Sequence, residues 1–133
     1  MRETDPVTVT PALIAAAAER TIAHRTPLEK SARLSAKTGA EVFLKREDQQ
    51  LARSYKVRGA FNLMSMLTPE ELERGVVCAS AGNHAQGVAI SCAQLGAKGH
   101  IFVPTSTPRQ KRDRIRALGG DAVTLTMVGK TYD

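Results

Sequence analysis

The sequence is poor in aromatic residues: no tryptophan, two tyrosines and three phenylalanines among 133 residues. Surfaces that hold single-stranded nucleic acid stack bases on aromatic rings, and this chain has few to offer. Cysteine is equally scarce. Cys78 and Cys92 are too few for the disulfide framework of a small secreted domain and lack the spacing of a zinc site, so both are expected to be buried thiols. The three histidines, His24, His84 and His100, are remote from one another with no second ligand nearby, and no metal is expected. No apolar run reaches the ~18 residues that a membrane helix requires. The opening Met1-Arg2-Glu3-Thr4-Asp5-Pro6 has acids and a proline where a signal peptide has a basic region and an apolar stretch. The expectation is therefore no membrane association and a cytoplasmic location.

What is present is ordinary globular composition, 42% hydrophobic and 24% charged. A chain of this size buries roughly two thirds of its unfolded surface, enough for a core of its own. The formal net charge of +6 raises the alternative of a basic nucleic-acid-binding module. Its densest source is Arg109 to Arg116, five basic residues against Asp113. These charges share a helix with Ile115 and Leu118, which favours a solvated helix face and no nucleic-acid partner.

Cap, proline and glycine signals divide the chain. Thr10-Pro11 opens an alanine-rich helix predicted over Ala12 to Ala23, expected to pack on the body as a lid. Pro27 and Leu28 begin a short extended piece, Ser31 to Lys37 reads as helix closed by Gly39, and Glu41 to Lys45 as strand. Glu47 to Arg53 lacks periodicity and reads as a loop. Thr68-Pro69-Glu70-Glu71 is a capping box ahead of a short helix that Gly75 stops. Val76 to Ala79 has the apolar run of a buried strand. A helix from His84 to Leu95, with Ala85, Val88, Ala89 and Cys92 on one face, ends at Gly96, and His100 to Val103 is the second strand. Thr107-Pro108-Arg109-Gln110 repeats the cap signature before a helix to Gly119-Gly120, and Ala122 to Leu125 is a third strand. Alternating strands and helices predict a parallel βαβαβ unit with right-handed crossovers, an α/β fold.

Two stretches carry chemistry. In Ser54-Tyr55-Lys56-Val57-Arg58-Gly59-Ala60-Phe61, the apolar positions Val57, Ala60, Phe61, Met64 and Leu67 fall on one helical face. Ser54 is read as the N-cap, and Lys56 stands in the first turn of a helix ending near Leu67. The positive pole of the helix and any desolvation disfavour an ammonium there, and a neutral amine is a nucleophile, but composition alone leaves Lys56 equally readable as a solvated residue near a helix start. The second stretch, Ser80-Ala81-Gly82-Asn83, joins a strand to a helix at the carboxyl edge of the parallel unit, where helix N–H groups gather anions. Ser80 and Asn83 add donors and Gly82 permits close approach, so a carboxylate or phosphate is the expected ligand. Asn83 also fits a plain N-cap. His84 is assigned a structural or substrate-orienting role, and Arg58 and Lys111 are read as paired surface charges.

Leu44-Lys45-Arg46-Glu47-Asp48, then Ser54 to Ala60, then Ser80-Ala81-Gly82-Asn83-His84-Ala85-Gln86-Gly87, in that order, resemble the start of a threonine dehydratase (threonine ammonia-lyase). The resemblance runs from Thr26-Pro27-Leu28 through Pro108-Arg109-Gln110-Lys111 to Gly129-Lys130-Thr131-Tyr132-Asp133. It is nearest to the biosynthetic enzymes that open the isoleucine pathway, in their actinobacterial form. It implies a partial fold of the tryptophan-synthase-β type with pyridoxal 5'-phosphate (PLP) as cofactor. Residues 1–75 would belong to the larger domain and 76–133 to an incomplete smaller domain. It implies conversion of L-threonine to 2-oxobutanoate and ammonia, with L-serine as a possible second amino-acid substrate, in an enzyme that is a homo-oligomer at full length. Lys56 would be the catalytic Schiff-base lysine, with Tyr55 and Asn83 beside the cofactor, and Ser80, Ala81, Gly82, Asn83 and His84 at the substrate. Serine racemase, serine dehydratase and threonine synthase are the alternatives within the fold. The family's glycine-rich phosphate loop and its partner for the pyridine nitrogen match nothing here, the longest glycine run being Gly119-Gly120. An incomplete N-terminal portion is expected, one that binds the cofactor weakly and is inactive alone.

Overall fold

The structure is a computed structural model that describes residues 8–131. The last two residues of the resemblance, Tyr132 and Asp133, lie outside them. Helix α1, Pro11–Arg20, starts at Thr10, whose hydroxyl accepts from the Leu13 N–H. It stops short of Ala23 because Thr21 turns extended. No residue of α1 is buried. It touches the body through Arg20, which donates to Asn62 Oδ1 at 2.9 Å.

Strands β1, Leu28–Lys30, and β2, Phe43–Lys45, pair antiparallel as a two-stranded ribbon, with helix α2, Ala32–Thr38, between them. Ser31 caps α2, and Gly39, at φ 71°, closes it in the left-handed region that glycine adopts without strain. Glu47–Gln49 forms a single 3₁₀ turn in the stretch read as irregular. Helix α3, Lys56–Met64, follows, and α4, Pro69–Arg74, carries the predicted capping box complete: Glu71 N–H donates to Thr68 Oγ1 and Thr68 N–H to Glu71 Oε2.

The second half is the parallel unit: β3 (Val76–Ala79), α5 (Asn83–Leu95), β4 (Gly99–Val103), α6 (Arg109–Gly119) and β5 (Val123–Met127). The strand order is β3-β4-β5, all parallel, with Cys78 opposite Ile101 and Ile101 opposite Leu125. Ile101, Val103, Ala85, Ala89 and Ile115 form the core between this sheet, α5 and α6. Burying Ile101 alone is worth roughly 1.5–3 kcal/mol. A second cluster joins Ala60 and Met64 of α3 to Val88 and Cys92 of α5, so α3 lies against α5.

Three local expectations are corrected. The strand at Val76–Ala79 is at the sheet edge and alternates half-buried and exposed, with Val77 72% exposed; an apolar run alone does not say whether both faces are covered. Cys78 on that strand is accordingly half-buried, whereas Cys92 is fully buried. The Thr107-Pro108 signature forms no side-chain cap: Pro108 occupies the N-cap, and the Thr107 N–H is turned back onto Pro104 O. The basic face of α6 is engaged locally, with Arg114 donating to Leu51 O and Arg109 and Arg116 both on Asp113.

Candidate functional site

Lys56 is placed by its backbone. Helix α3 begins at Lys56 with Tyr55, not Ser54, at the N-cap; the Ser54 hydroxyl still accepts from the Lys56 N–H at 3.4 Å. Val57, Ala60, Phe61 and Met64 are buried as the periodicity predicted, and Leu67 is half-buried after a 3₁₀ tail. On the facing helix the contact residue is Gly87. A Cβ there would stand 3.1 Å from Lys56 O and 3.2 Å from Val57 N, so α5 offers a residue without side chain where the lysine's own backbone crosses it.

The lysine side chain lies in an open groove of about 280 Å³ lined by Tyr55, Arg58, Gly59, Ala60, Leu63 and His84. Its Nζ stands 4.9 Å from the centre of the Tyr55 ring, a cation–π distance. Among the described residues no carboxylate pairs with it. Lys56 and Tyr55 are exposed, which corrects one premise of the sequence reading: the groove has walls on one side, so these residues alone do not desolvate the amine.

Ser80, Ala81 and Gly82 run from the end of β3 to the start of α5, as predicted. The Ser80 N–H extends the ladder onto Phe102 O, and its hydroxyl accepts from the Gly82 N–H in a tight local turn. Gly82, not Asn83, is the N-cap, and no side chain covers the first turn of α5. The N–H groups of that turn are those a helix leaves without an intrahelical partner. Nothing among the described residues comes within 4 Å of where a Cβ on Gly82 would stand, so their packing does not demand glycine here. The space over the turn is open.

The predicted residues do not all share one cavity. His84 faces the lysine groove, whereas Asn83 lines a separate depression of about 210 Å³ with Arg53, Gln86, Gln110, Lys111 and Arg114. His84 also lines a largely apolar cavity of about 400 Å³ between α3, α4 and β3, continuous with the lysine groove through Ala60 and Leu63. Among the described residues no group of three or more metal-ligating side chains occurs, and no helix is long and apolar enough to cross a membrane. Gly119 is packed against Val123 at the end of α6 and is followed only by a three-residue 3₁₀ turn, Gly120–Ala122, so the Gly119-Gly120 pair opens no α-helix that could cradle a phosphate.

Sequence reasoning missed the environment of Arg58. Its guanidinium forks onto Glu47, Nε to Oε2 and Nη2 to Oε1, both at 2.8 Å. Thr26 Oγ1 and Gln50 Nε2 donate to the same carboxylate at 2.6 and 3.2 Å. The Arg58 contacts, foremost, hold the Glu47 carboxyl down at about 2. The signal was present only as an acid and an arginine eleven residues apart.

The sequence profile of the family described as pyridoxal-phosphate dependent enzyme matches residues 20–133. The L-threonine dehydratase biosynthetic IlvA of Mycobacterium tuberculosis is 61% identical over 108 residues, 81% of this chain and 25% of that protein. The chain spans about a quarter of the length of the curated relatives it matches. Among solved structures, serine racemase from Dictyostelium discoideum superposes with TM-score 0.84 at 33% identity, covering 95% of this chain and 41% of that one. The processed form of threonine deaminase isoform 2 from Solanum lycopersicum gives 0.79 at 46%, covering 91% and 32%.

Proposed function

Because the chain belongs to the pyridoxal-phosphate dependent enzyme family, with the tryptophan-synthase-β type of fold, we propose that it carries the lysine and the substrate loop of a biosynthetic threonine dehydratase. The observation that carries this is the juxtaposition of Lys56 and His84 in one groove, at the uncapped start of α5. The groove is open and its amine unpaired, and the space above Gly82 is free, so these residues fit the lysine-bound end of the cofactor and the carboxylate of an amino acid. The proposal divides the chain at residue 75 between a larger and a smaller domain, with the phosphate and pyridine-nitrogen contacts supplied from elsewhere in the full-length enzyme.

Bound PLP supplies a carbonyl that condenses with an amine and a ring that draws electrons from the substrate α-carbon. Lys56 would hold the cofactor through Nζ, with Tyr55 beside it in the groove, while Asn83, lining the separate depression at the start of α5, would have to reach the cofactor from there. With an amino-acid substrate bound, Lys56 Nζ would be the general base for its α-proton. The N–H groups at the start of α5, with Ser80 and Asn83, hold the substrate carboxylate, and the α5 dipole favours its charge. His84 orients the substrate from the groove wall. Loss of the β-hydroxyl of L-threonine and hydrolysis give 2-oxobutanoate and ammonia, the first step toward isoleucine, in a cytoplasmic homo-oligomer. Identity to dehydratases, 61% against 33% to the serine racemase, favours this substrate over racemisation of serine.

Borohydride treatment of the full-length holoenzyme should fix the cofactor on the peptide containing Lys56, and Lys56→Ala should abolish both the fixed label and 2-oxobutanoate formation. Turnover retained by that variant removes Lys56 from the chemistry.

A further inference from the structure

The stretch leading to Lys56 is fastened more tightly than its exposure requires. Of the buried polar residues, Thr26, Gln50 and Ser54 all lie along it, at 6%, 3% and 8% exposure. Thr26 and Gln50 converge with Arg58 on one carboxylate, that of Glu47. Gln50 also spans to the 24–26 segment: its Nε2 donates to His24 O at 2.7 Å and its Oε1 accepts from His24 N–H at 3.0 Å. Arg58 Nη2 adds a bond to the same carbonyl at 3.0 Å. Three segments far apart in the chain, 24–26, 47–50 and the first turn of α3, are thus joined through one fork-to-fork ion pair.

We infer that Arg58 is a positioning residue for Lys56: its guanidinium, forked onto Glu47, fixes the first turn of α3 so that the amine two residues earlier enters the groove beside His84. The inference rests on the proposed role of Lys56. Helix α3 has no side-chain cap at Tyr55, which is exposed, and the local side-chain hold on the lysine is the long Ser54 Oγ contact to its N–H at 3.4 Å. Gly87 limits its approach to α5 from one side, and the Glu47–Arg58 fork holds the same turn from the other. A lysine in place of the arginine keeps the charge but cannot make two parallel bonds or reach the His24 carbonyl with the same plane.

The test compares Arg58→Ala and Arg58→Lys with wild type in the full-length protein, reading PLP affinity by titration of the cofactor-free form, the absorbance band of the lysine-bound cofactor, and thermal unfolding. Loss of a charge-assisted pair predicts roughly a ten- to hundredfold weaker PLP affinity and an altered band for both variants. Added guanidinium ion should restore the alanine variant toward wild type and leave the lysine variant, whose ammonium fills the space, unchanged. Wild-type affinity and band in both variants, even with a lowered melting temperature, would make Arg58 a structural residue only and overturn the inference. If the alanine variant does not fold, the lysine variant alone decides by the same readouts. Wild-type protein with no cofactor on Lys56 would instead sink the proposed function, and this inference with it.

Discussion

Replacement of Gly87 by alanine tests how Lys56 is seated. The new methyl would stand 3.1 Å from Lys56 O, 3.2 Å from Lys56 C and 3.2 Å from Val57 N. These are backbone atoms at the start of a helix, so they cannot swing aside as a side chain can; α3 as a whole must retreat by a few tenths of an ångström. Two terms compete. Alanine is favoured over glycine inside a helix by about 1 kcal/mol. Overpacking a filled contact costs about 1–3 kcal/mol. The net expectation is a loss of about 0 to 2 kcal/mol, read as a shift in denaturant midpoint at unchanged m. Cofactor capture should suffer more than stability, because a displacement of α3 carries Lys56 away from His84 and chemistry at a held amine is sensitive to small misplacements. In the full-length protein the assay is borohydride fixation at the Lys56 peptide beside the unfolding curve. A Gly87→Ala variant stabilised by the full 1 kcal/mol, with wild-type fixation, would refute the reasoning, since it would show an ordinary helix glycine with no backbone pressed against it.

The Glu47 carboxyl, held at about 2 against an ordinary 4.5 chiefly by Arg58, contributes stability that is complete above about 4.5 and lost as the pH falls toward 2; Glu47→Gln should flatten the acid limb of a melting-temperature profile in that window, and an unchanged limb would refute the pairing. Burial raises the Cys92 thiol to about 11, so in native protein at pH 8 iodoacetamide should alkylate the half-buried Cys78 first and leave Cys92 until unfolding. A methyl on Gly99 would stand 2.6 Å from Cys92 Sγ, so Gly99→Ala should cost about 1–3 kcal/mol, and Cys92→Ala should relieve at least about 0.5 kcal/mol of it in a double-mutant cycle. Gly82→Ala should leave stability within about 0.5 kcal/mol of wild type yet raise KM for L-threonine in the full-length enzyme; an unchanged KM would remove the 80–83 turn from substrate binding.

Local signals were legible where the partner lies within a few residues. The capping box at Thr68 and Glu71, the Gly39 and Gly96 stops and the buried face of α3 need no knowledge of the rest of the chain, and all formed. The strand-helix alternation likewise dictated a parallel sheet. Where the outcome depends on a distant neighbour, pattern failed. Val76–Ala79 is as apolar as a central strand, but whether Val77 is covered is decided by what lies beyond β3. Thr107-Pro108 has the letters of a cap, yet the helix starts one residue late, with Pro108 itself at the N-cap and no side-chain bond to the first turn. Arg58 was read as a surface charge because its partner Glu47 is reached only across the 47–55 turn.

The glycines of the site show why chemistry is harder to read than fold. Gly82, Gly87 and Gly59 are one letter in the sequence and three situations in space. Gly87 is required by this chain itself, with the backbone of Lys56 against it. Gly82 is extended with φ −115°, outside the left-handed region, and has open space where its side chain would be. Gly59 sits inside α3, where glycine costs about 1 kcal/mol relative to alanine, and again nothing among the described residues fills the space. Neither packing within the described residues nor backbone conformation explains the last two: Gly59 lines the Lys56 groove, whereas Gly82 is the N-cap of the helix that carries His84. The open space at Gly59, in the groove that Lys56 also lines, is where the proposed ligand would find room that an alanine methyl would take.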